Sequence, residues 1–511
     1  MKTFAAIDVG SYALELKLFE MSVKSGIRQI DSIRHQIDLG TDTYVTGRIS
    51  NPKLDEMCRV LREFKEICDT MKVDDYRLCC TSAVRGASNA EIILDRIRQR
   101  SGFEGSVLSN SEQRFLHYKA VAYRDGRVFD ELLDKTTAIV DIGGSSMQVS
   151  LFQDGTLITT QNLVLGVLLL NERMMHLNAR STHFEELLGE LIDTQLSVFK
   201  KLYLKDVTIR NLIVVDDYIS EAYSHLPDIG RDGKVSEAEV DYLLDSIRDH
   251  PISEIARFLA IPEDNVTLSH ISALLLKSIC ALGSIEDIWI PGVTLGDGMA
   301  YEYAESKHVV PKGHNFERDI LSSARSLGKR YMCSRKRGET LEAIALAIFD
   351  ATGRVHGMGN RERLLLRIST MLHDCGKYIS MANLGECSYN IIMSTEVIGL
   401  SHREREIVAN VVKYNHLEFS YQDLLVGTFD LDPPTCLVIC KLIAILRLAN
   451  GLDRSHKQKF MDVKVALKND ELVFTLNAST DISLEKGLFD NRSDFFEEVF
   501  SLRPVIRQKG M

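Results

Sequence analysis

Two short segments carry residue types suited to one kind of chemistry. The first is Ile7-Asp8-Val9-Gly10-Ser11 and the second is Asp141-Ile142-Gly143-Gly144-Ser145-Ser146, with their aspartates 133 residues apart. Glycines in a tight turn let backbone N–H groups converge on an anion, and serine hydroxyls add donors. A carboxylate beside such a turn can hold a divalent cation that bridges phosphate oxygens. One such turn is a common hairpin feature. Two of them, each following an apolar run, point to a phosphate group held from two sides.

A second feature is basic. Arg318, Arg325, Lys329, Arg330, Arg335, Lys336 and Arg337 crowd residues 317–337, where only Glu317 and Asp319 oppose them. They read either as a solvated helix face or as the wall of a channel that draws a long polyanion towards the turns. Binding to such a channel would fall steeply with salt.

Several elements must position these residues. The runs Phe4–Val9 and Thr137–Ile142 read as buried strands, and each turn is followed by alternation, at Leu14, Leu16 and Leu18 and at Met147, Val149 and Leu151. Each whole segment reads as a β-hairpin, and the repeat predicts two related halves with their turns face to face. The spacing of Leu54, Met57, Val60, Leu61, Phe64 and Ile67 predicts a helix over 51–72. Residues 77–82 read as a strand, and 111–123, 184–204 and 235–258 as helices. Gly292, Gly296 and Gly298 read as a loop rich in backbone freedom.

From residue 316 to 452 the pattern is helical, with helices over 319–331, 340–352, 361–372 and 403–414. The tail, 461–510, reads as a β-hairpin plus a helix over 493–500. Pro311-Lys312-Gly313 reads as a linker. The expected organisation is an α/β lobe over 1–125, a second over 126–310, an all-α domain over 311–455 and a small α+β domain over 456–511.

Composition bounds the function. The chain has 511 residues, 45% hydrophobic and 26% charged, which suits several globular cores and excludes low-complexity or fibrous classes. Its net charge of −11 argues against general nucleic-acid or membrane-surface binding. The ten cysteines show no C-x-x-C spacing and read as reduced core thiols. The first residues lack a signal-peptide core, and the longest apolar run, 163–170, is far short of the roughly 20 residues that span a bilayer. A cytoplasmic location is expected.

Taken together, the motifs resemble the exopolyphosphatase/guanosine pentaphosphate phosphatase (Ppx/GppA) family, within the actin/hexokinase/heat-shock ATPase fold. Ile7–Ala13 is similar to the family's I-D-x-G-S-N-S, Thr81–Asn89 to T-S-A-x-R-x-A-x-N, and Ser109–Arg114 to S-G-x-E-E-A. Residues 141–148 are similar to D-I-G-G-G-S-T-E, and Leu163–Val167 to S-L-x-L-G-A. His373-Asp374 resembles the signature pair of the family's HD-like helical domain.

The resemblance implies an actin-like two-lobed N-terminal unit and Mg2+-dependent release of terminal orthophosphate from inorganic polyphosphate. It implies Glu112 as the general base, with Asp141 and Gln148 beside it in the catalytic set. Asp8 and Asp141 would hold Mg2+. Gly10, Ser11, Arg85, Gly143, Gly144, Ser145 and Ser146 would bind phosphate, and the chain would form a homodimer.

The chain departs from the pattern at three places. Gln148 replaces a glutamate, Tyr12 replaces an asparagine, and Asp216-Asp217 stands where a Gly/Thr segment is expected. His373-Asp374 lacks its further metal ligands, because Arg337, Glu339 and Ala449-Asn450-Gly451 occupy those places, so the pair reads as a structural remnant. The alternatives to polyphosphate hydrolysis are a guanosine pentaphosphate 5′-phosphatase and a catalytically weakened regulatory protein that binds nucleotide or polyphosphate. An ATP-dependent sugar kinase of the same superfamily fits the residues 109–114 less well.

Overall fold

A computed structural model describes residues 2–177, 183–226, 233–311, 313–419, 431–460, 463–477 and 481–509. Lys312 of the expected linker, and Met461 and Gly510 of the expected tail, lie outside the described residues. The chain divides into two units, Met1–Phe316 and Glu317–Met511.

The first unit holds two sheets. Strands β1 (Lys2–Val9), β2 (Ala13–Ser22), β3 (Gly26–Gln36), β4 (Asp75–Cys80) and β5 (Gly105–Val107) form one, in the order β3-β2-β1-β4-β5. The other joins β6 (Thr137–Ile142), β7 (Met147–Gln153), β8 (Thr156–Leu163), β9 (Asn211–Val215), β10 (Lys234–Val235) and β11 (Asp287–Trp289), in the order β10-β11-β9-β6-β7-β8. Each sheet has an antiparallel three-strand meander whose first strand pairs in parallel with a later one, β1 with β4 and β6 with β9. The sequence repeat is therefore a repeat of topology. Every residue of β6 is buried, as expected for a continuous apolar strand flanked on both sides.

The helix Asn51–Thr70 buries Leu54, Met57, Val60, Leu61 and Phe64 in the first core, and Ile67 packs only partly. The helix Asn110–Arg124 packs against Leu295–Ser306, and a Cβ at Gly298 would lie 2.2 Å from the Leu116 carbonyl oxygen. Gly296 and Gly298 thus belong to a helix rather than to the expected loop, and Gly298 is required by close helix packing. That helix docks on the first sheet through Phe4, which stacks on Tyr303, and through Lys17 Nζ, 3.0 Å from Asp297. The single helix expected over 235–258 is two, Glu237–Asp249 and Ile252–Phe258, because Pro251 cannot continue the first.

The second unit is mainly helical: Phe316–Arg330 (begun on the last residue of the first unit), Arg335–Ala351, Asn360–Met371, Leu384–Met393, His402–His416 and Pro433–Leu452. Among the described residues, Pro433–Leu452 is the one helix long and apolar enough to cross a membrane, and most of it is buried inside this unit. The tail has one strand more than its alternation predicts. Strands β12 (Lys464–Lys468) and β13 (Glu471–Asn477) form the hairpin, and β14 (Arg503–Lys509) pairs in parallel with β13. The intervening helix runs from Ser483 to Phe500.

Candidate functional site

The β1–β2 and β6–β7 turns face a common cavity of about 110 Å3, lined among others by Asp8, Gly10, Ser11, Tyr12, Gly143 and Gly144. Each turn closes on itself, Gly10 N–H donating to the Ala13 carbonyl at 3.0 Å and Gly143 N–H to that of Ser146 at 2.9 Å. The amides of Gly144 and Ser145 find no acceptor among the described residues. The Ser11 hydroxyl lies 2.6 Å from that of Ser82 and 3.1 Å from that of Tyr44. Free amides and clustered hydroxyls of this kind suit a phosphate oxygen.

Strand register makes the two aspartates equivalent. Asp8 faces Glu15 across its hairpin, and Asp141 faces Gln148 across the other. Their surroundings differ. Burial, then the Glu15 and Asp217 carboxylates, push the Asp8 carboxyl up to about 8, and its Oδ1 is buried without a partner among the described residues. Burial also acts to raise Asp141, but Arg114 and His117 outweigh it and hold that carboxyl below its ordinary range.

Both of those groups come from the helix Asn110–Arg124. Arg114 Nη1 donates to Asp141 Oδ1 and its Nη2 to the Ser146 carbonyl at 2.9 Å. His117 Nδ1 is 2.6 Å from Asp141 Oδ2, and this contact raises the imidazole's pKa although burial opposes it. The guanidinium lies so close to the second turn that a Cβ on Gly143 would stand 2.8 Å from Arg114 Nη2.

The helix start explains where Glu112 goes. Ser109 caps it, and Glu112 Oε2 reaches back to accept from the Ser109 N–H at 2.9 Å and its hydroxyl at 2.7 Å. This reciprocal arrangement is a capping box. Glu112 therefore does not line the cavity; the next residue, Gln113, does. His117 lies three residues after Arg114 and four after Gln113, so it neighbours both on the helix surface, and all three line the cavity.

Arg85 is outside the cavity lining and holds the helix start, donating to the Leu108 carbonyl at 2.6 Å and to Asn110 Oδ1 at 2.5 Å. Ser145 does not line the cavity, while Ser146 and Gln148 are buried behind it. Asp216 caps the helix Asp217–Ser224, accepting from the Ile219 N–H at 2.8 Å and the Ser272 hydroxyl at 2.9 Å, and burial raises it to about 7. Asp217 and Tyr218 line the cavity, and Tyr218 meets Tyr12 edge to face with ring centres 6.1 Å apart.

The donor set does not match a magnesium ion shared by Asp8 and Asp141. Both oxygens of Asp141 are held by Arg114 and His117, and no group of three or more His, Cys, Asp or Glu that could hold a metal occurs among the described residues.

In the second unit Arg318, Arg325, Lys329, Arg330, Arg335 and Lys336 are exposed, with Arg335 paired to Glu339 at 2.8 Å. Arg337 is not part of that exposed face. It is buried and donates to Asn450 Oδ1 at 2.6 Å. His373 Nδ1 donates to the Thr370 carbonyl at 2.8 Å, burial lowers its pKa to about 4, and Asp374 pairs with Lys377 at 2.7 Å.

The residues not anticipated from sequence are Glu15, Arg34, Ser82, Gln113, Arg114 and His117, all on the cavity wall. One signal was available: Ser109-Asn110-Ser111-Glu112 has the S-x-x-E form that commits its glutamate to a helix start.

Comparison with known proteins agrees with this layout. The family model described as Ppx/GppA phosphatase family matches residues 20–307, and that for Ppx/GppA phosphatase domain III matches 321–493. A guanosine-5′-triphosphate,3′-diphosphate pyrophosphatase of Photobacterium profundum is 20% identical over 93% of this chain and 92% of its own. One from Pseudoalteromonas atlantica is 22% identical over 90% and 88%. Among solved structures, the Aquifex aeolicus Ppx/GppA family member superposes with a TM-score of 0.50 at 20% identity, over 60% of this chain and 98% of its own. An exopolyphosphatase from Cytophaga hutchinsonii does so at 0.51 and 17%, over 60% and 98%. These structures share the two-lobed actin-like fold.

Proposed function

Because this chain belongs to the Ppx/GppA phosphatase family, we propose that its paired turns receive the terminal phosphate of a linear phosphoanhydride, guanosine pentaphosphate ahead of inorganic polyphosphate. The observation that carries the reading is the cavity shared by two topologically equivalent Asp-x-Gly turns. The ranking of substrates leans on the relatives' names.

Phosphoryl transfer depends on positioning and charge stabilisation more than on covalent help. The Ser11 and Ser82 hydroxyls and the turn amides supply positioning, and Arg34 and Arg114 supply positive charge. Gln113 can orient a water but cannot take its proton, so turnover is slow. A second reading, a regulatory protein that binds without hydrolysing, is favoured by one observation: the Glu112 carboxylate is committed to its own helix start.

The deciding experiment measures binding and phosphate release with both compounds, for the wild type and Gln113→Glu. The expected outcome is slow release, faster from guanosine pentaphosphate, and raised at least about tenfold by the new carboxylate, since a positioned general base contributes 10²–10⁴-fold. Binding with no release in either protein establishes the regulatory reading. If neither compound binds, the proposal fails.

A further inference from the structure

The mismatch between the expected magnesium ion and the donor set has a physical counterpart. A cation entering between Asp8 and Asp141 would have to displace a guanidinium whose side chain is only 3% exposed and strand it in the interior. Yet positive charge is already present there. Arg114 lines the cavity, and an arginine stays charged at any ordinary pH. Two of its N–H groups are used by Asp141 and by the Ser146 carbonyl, while its Nε–H is buried with no acceptor among the described residues. A buried donor without an acceptor is costly. The amide of Gly144, a cavity-lining residue on the turn that Arg114 touches, also lacks an acceptor among the described residues.

We infer that the Arg114 guanidinium takes the part of the divalent cation, so that this cavity binds a tri- or polyphosphate anion without metal. The inference rests on the reading of the cavity as a phosphate site. A planar guanidinium matches phosphate geometry and gives charge-assisted hydrogen bonds about twice as strong as neutral ones. It carries one charge where magnesium carries two, so Asp141 with Arg114 sums to zero where Asp141 with magnesium would sum to plus one. Arg34, on the same wall, supplies the further positive charge.

The test is calorimetric titration of the full chain with inorganic tripolyphosphate, once with EDTA and once with excess magnesium chloride. The wild type is expected to bind with EDTA at least as well as with magnesium, which also sequesters the probe. Arg114→Ala is expected to bind about tenfold more weakly in EDTA, the effect of losing one hydrogen-bonding charged group. Because that substitution frees Asp141 Oδ1, magnesium should then restore its binding, a rescue that a merely structural role would not produce. Should Arg114→Ala fail to fold, Arg114→Lys keeps the charge and should still bind in EDTA, and the wild-type comparison needs no variant. Wild-type binding that requires magnesium overturns the inference and leaves the cavity a phosphate site. A folded Arg114→Ala that binds as well as wild type in EDTA overturns it likewise. No binding in either buffer overturns both.

Discussion

Arg114 in the first unit and Arg337 in the second are both buried arginines beside a motif aspartate, Asp141 in one case and Asp374 in the other. Their partners differ. Arg114 bonds a carboxylate and lines a cavity, whereas Arg337 bonds the neutral amide of Asn450, which in turn donates to Asn415 at 3.0 Å. Burial lowers the pKa of Arg337, the mark of a charge whose desolvation is incompletely offset. An arginine paired with a carboxylate at a cavity wall keeps its charge compensated and can still meet a ligand. One paired with an amide among packed helices fills space and fixes hydrogen bonds. The first unit thus holds a reachable polar site and the second a closed structural network.

The largest effect should come from breaking the charged pair. Asp141→Asn leaves a guanidinium and an imidazole without counter-charge and should destabilise the first unit by about 3–5 kcal/mol, the usual penalty for one orphaned partner of a buried ion pair. Arg337→Met replaces a charge held by a neutral partner with an apolar chain of similar length, and should change the second unit by about 1–2 kcal/mol at most. Urea unfolding can report the two separately. The only tryptophan, Trp289, lies in the first unit, and helical circular dichroism weights the second. Equal losses in the two variants would remove the distinction between the pairs.

The units should also respond to pH with opposite signs. Asp216 in the first titrates at about 7 instead of 3.8, so the fold keeps a proton that the unfolded chain releases. Its stabilisation is complete below about 4 and is lost as pH rises through about 7. His373 in the second titrates at about 4 instead of 6.5, so the fold refuses a proton that the unfolded chain accepts. Its stabilisation is present above 6.5 and is lost as pH falls below that, because burial disfavours the charged imidazole. Acid should therefore weaken the helical transition before the Trp289 transition, and His373→Gln should abolish that acid sensitivity. If the variant keeps the wild-type pH profile, His373 is not its source.

Local patterns in the chain carried much of this. The period-two alternation after Gly10 and after Gly143 located both hairpins, and the apolar spacing at Leu54–Phe64 located the first helix, because each reports an element's own buried face. The site was only half legible. Asp8, Gly10, Ser11, Gly143 and Gly144 share the cavity because local turns place them there. Arg114 and His117 reach it through a helix that packs 27 and 24 residues away from Asp141 in sequence, and no local period encodes that contact. Gly298 failed for the same reason, since its need arises from the Leu116 carbonyl of another helix. Arg337 was indistinguishable from its six exposed neighbours until its partner Asn450, 113 residues on, was in place.

The smallest expected effect bears hardest on the site assignment. Successive residues on a helix are turned by about 100°, so neighbouring side chains serve different surroundings. Glu112 serves the cap and Gln113 the cavity. Glutamine at the third helical position can also reach back to the capping residue's N–H. Glu112→Gln should therefore shift stability by only about a few tenths of a kcal/mol, well under the ~1 kcal/mol typical of losing a cap. It should leave tripolyphosphate binding and any phosphate release unchanged, in contrast to the gain expected of Gln113→Glu. Both can be read by urea midpoint, titration and phosphate release on the same preparations. If Glu112→Gln abolished release from a fully folded protein, the carboxylate would have to leave its cap during turnover. The family's acid would then still be at work here, and the contrast between an accessible first site and a closed second one would become one of catalysis rather than of binding.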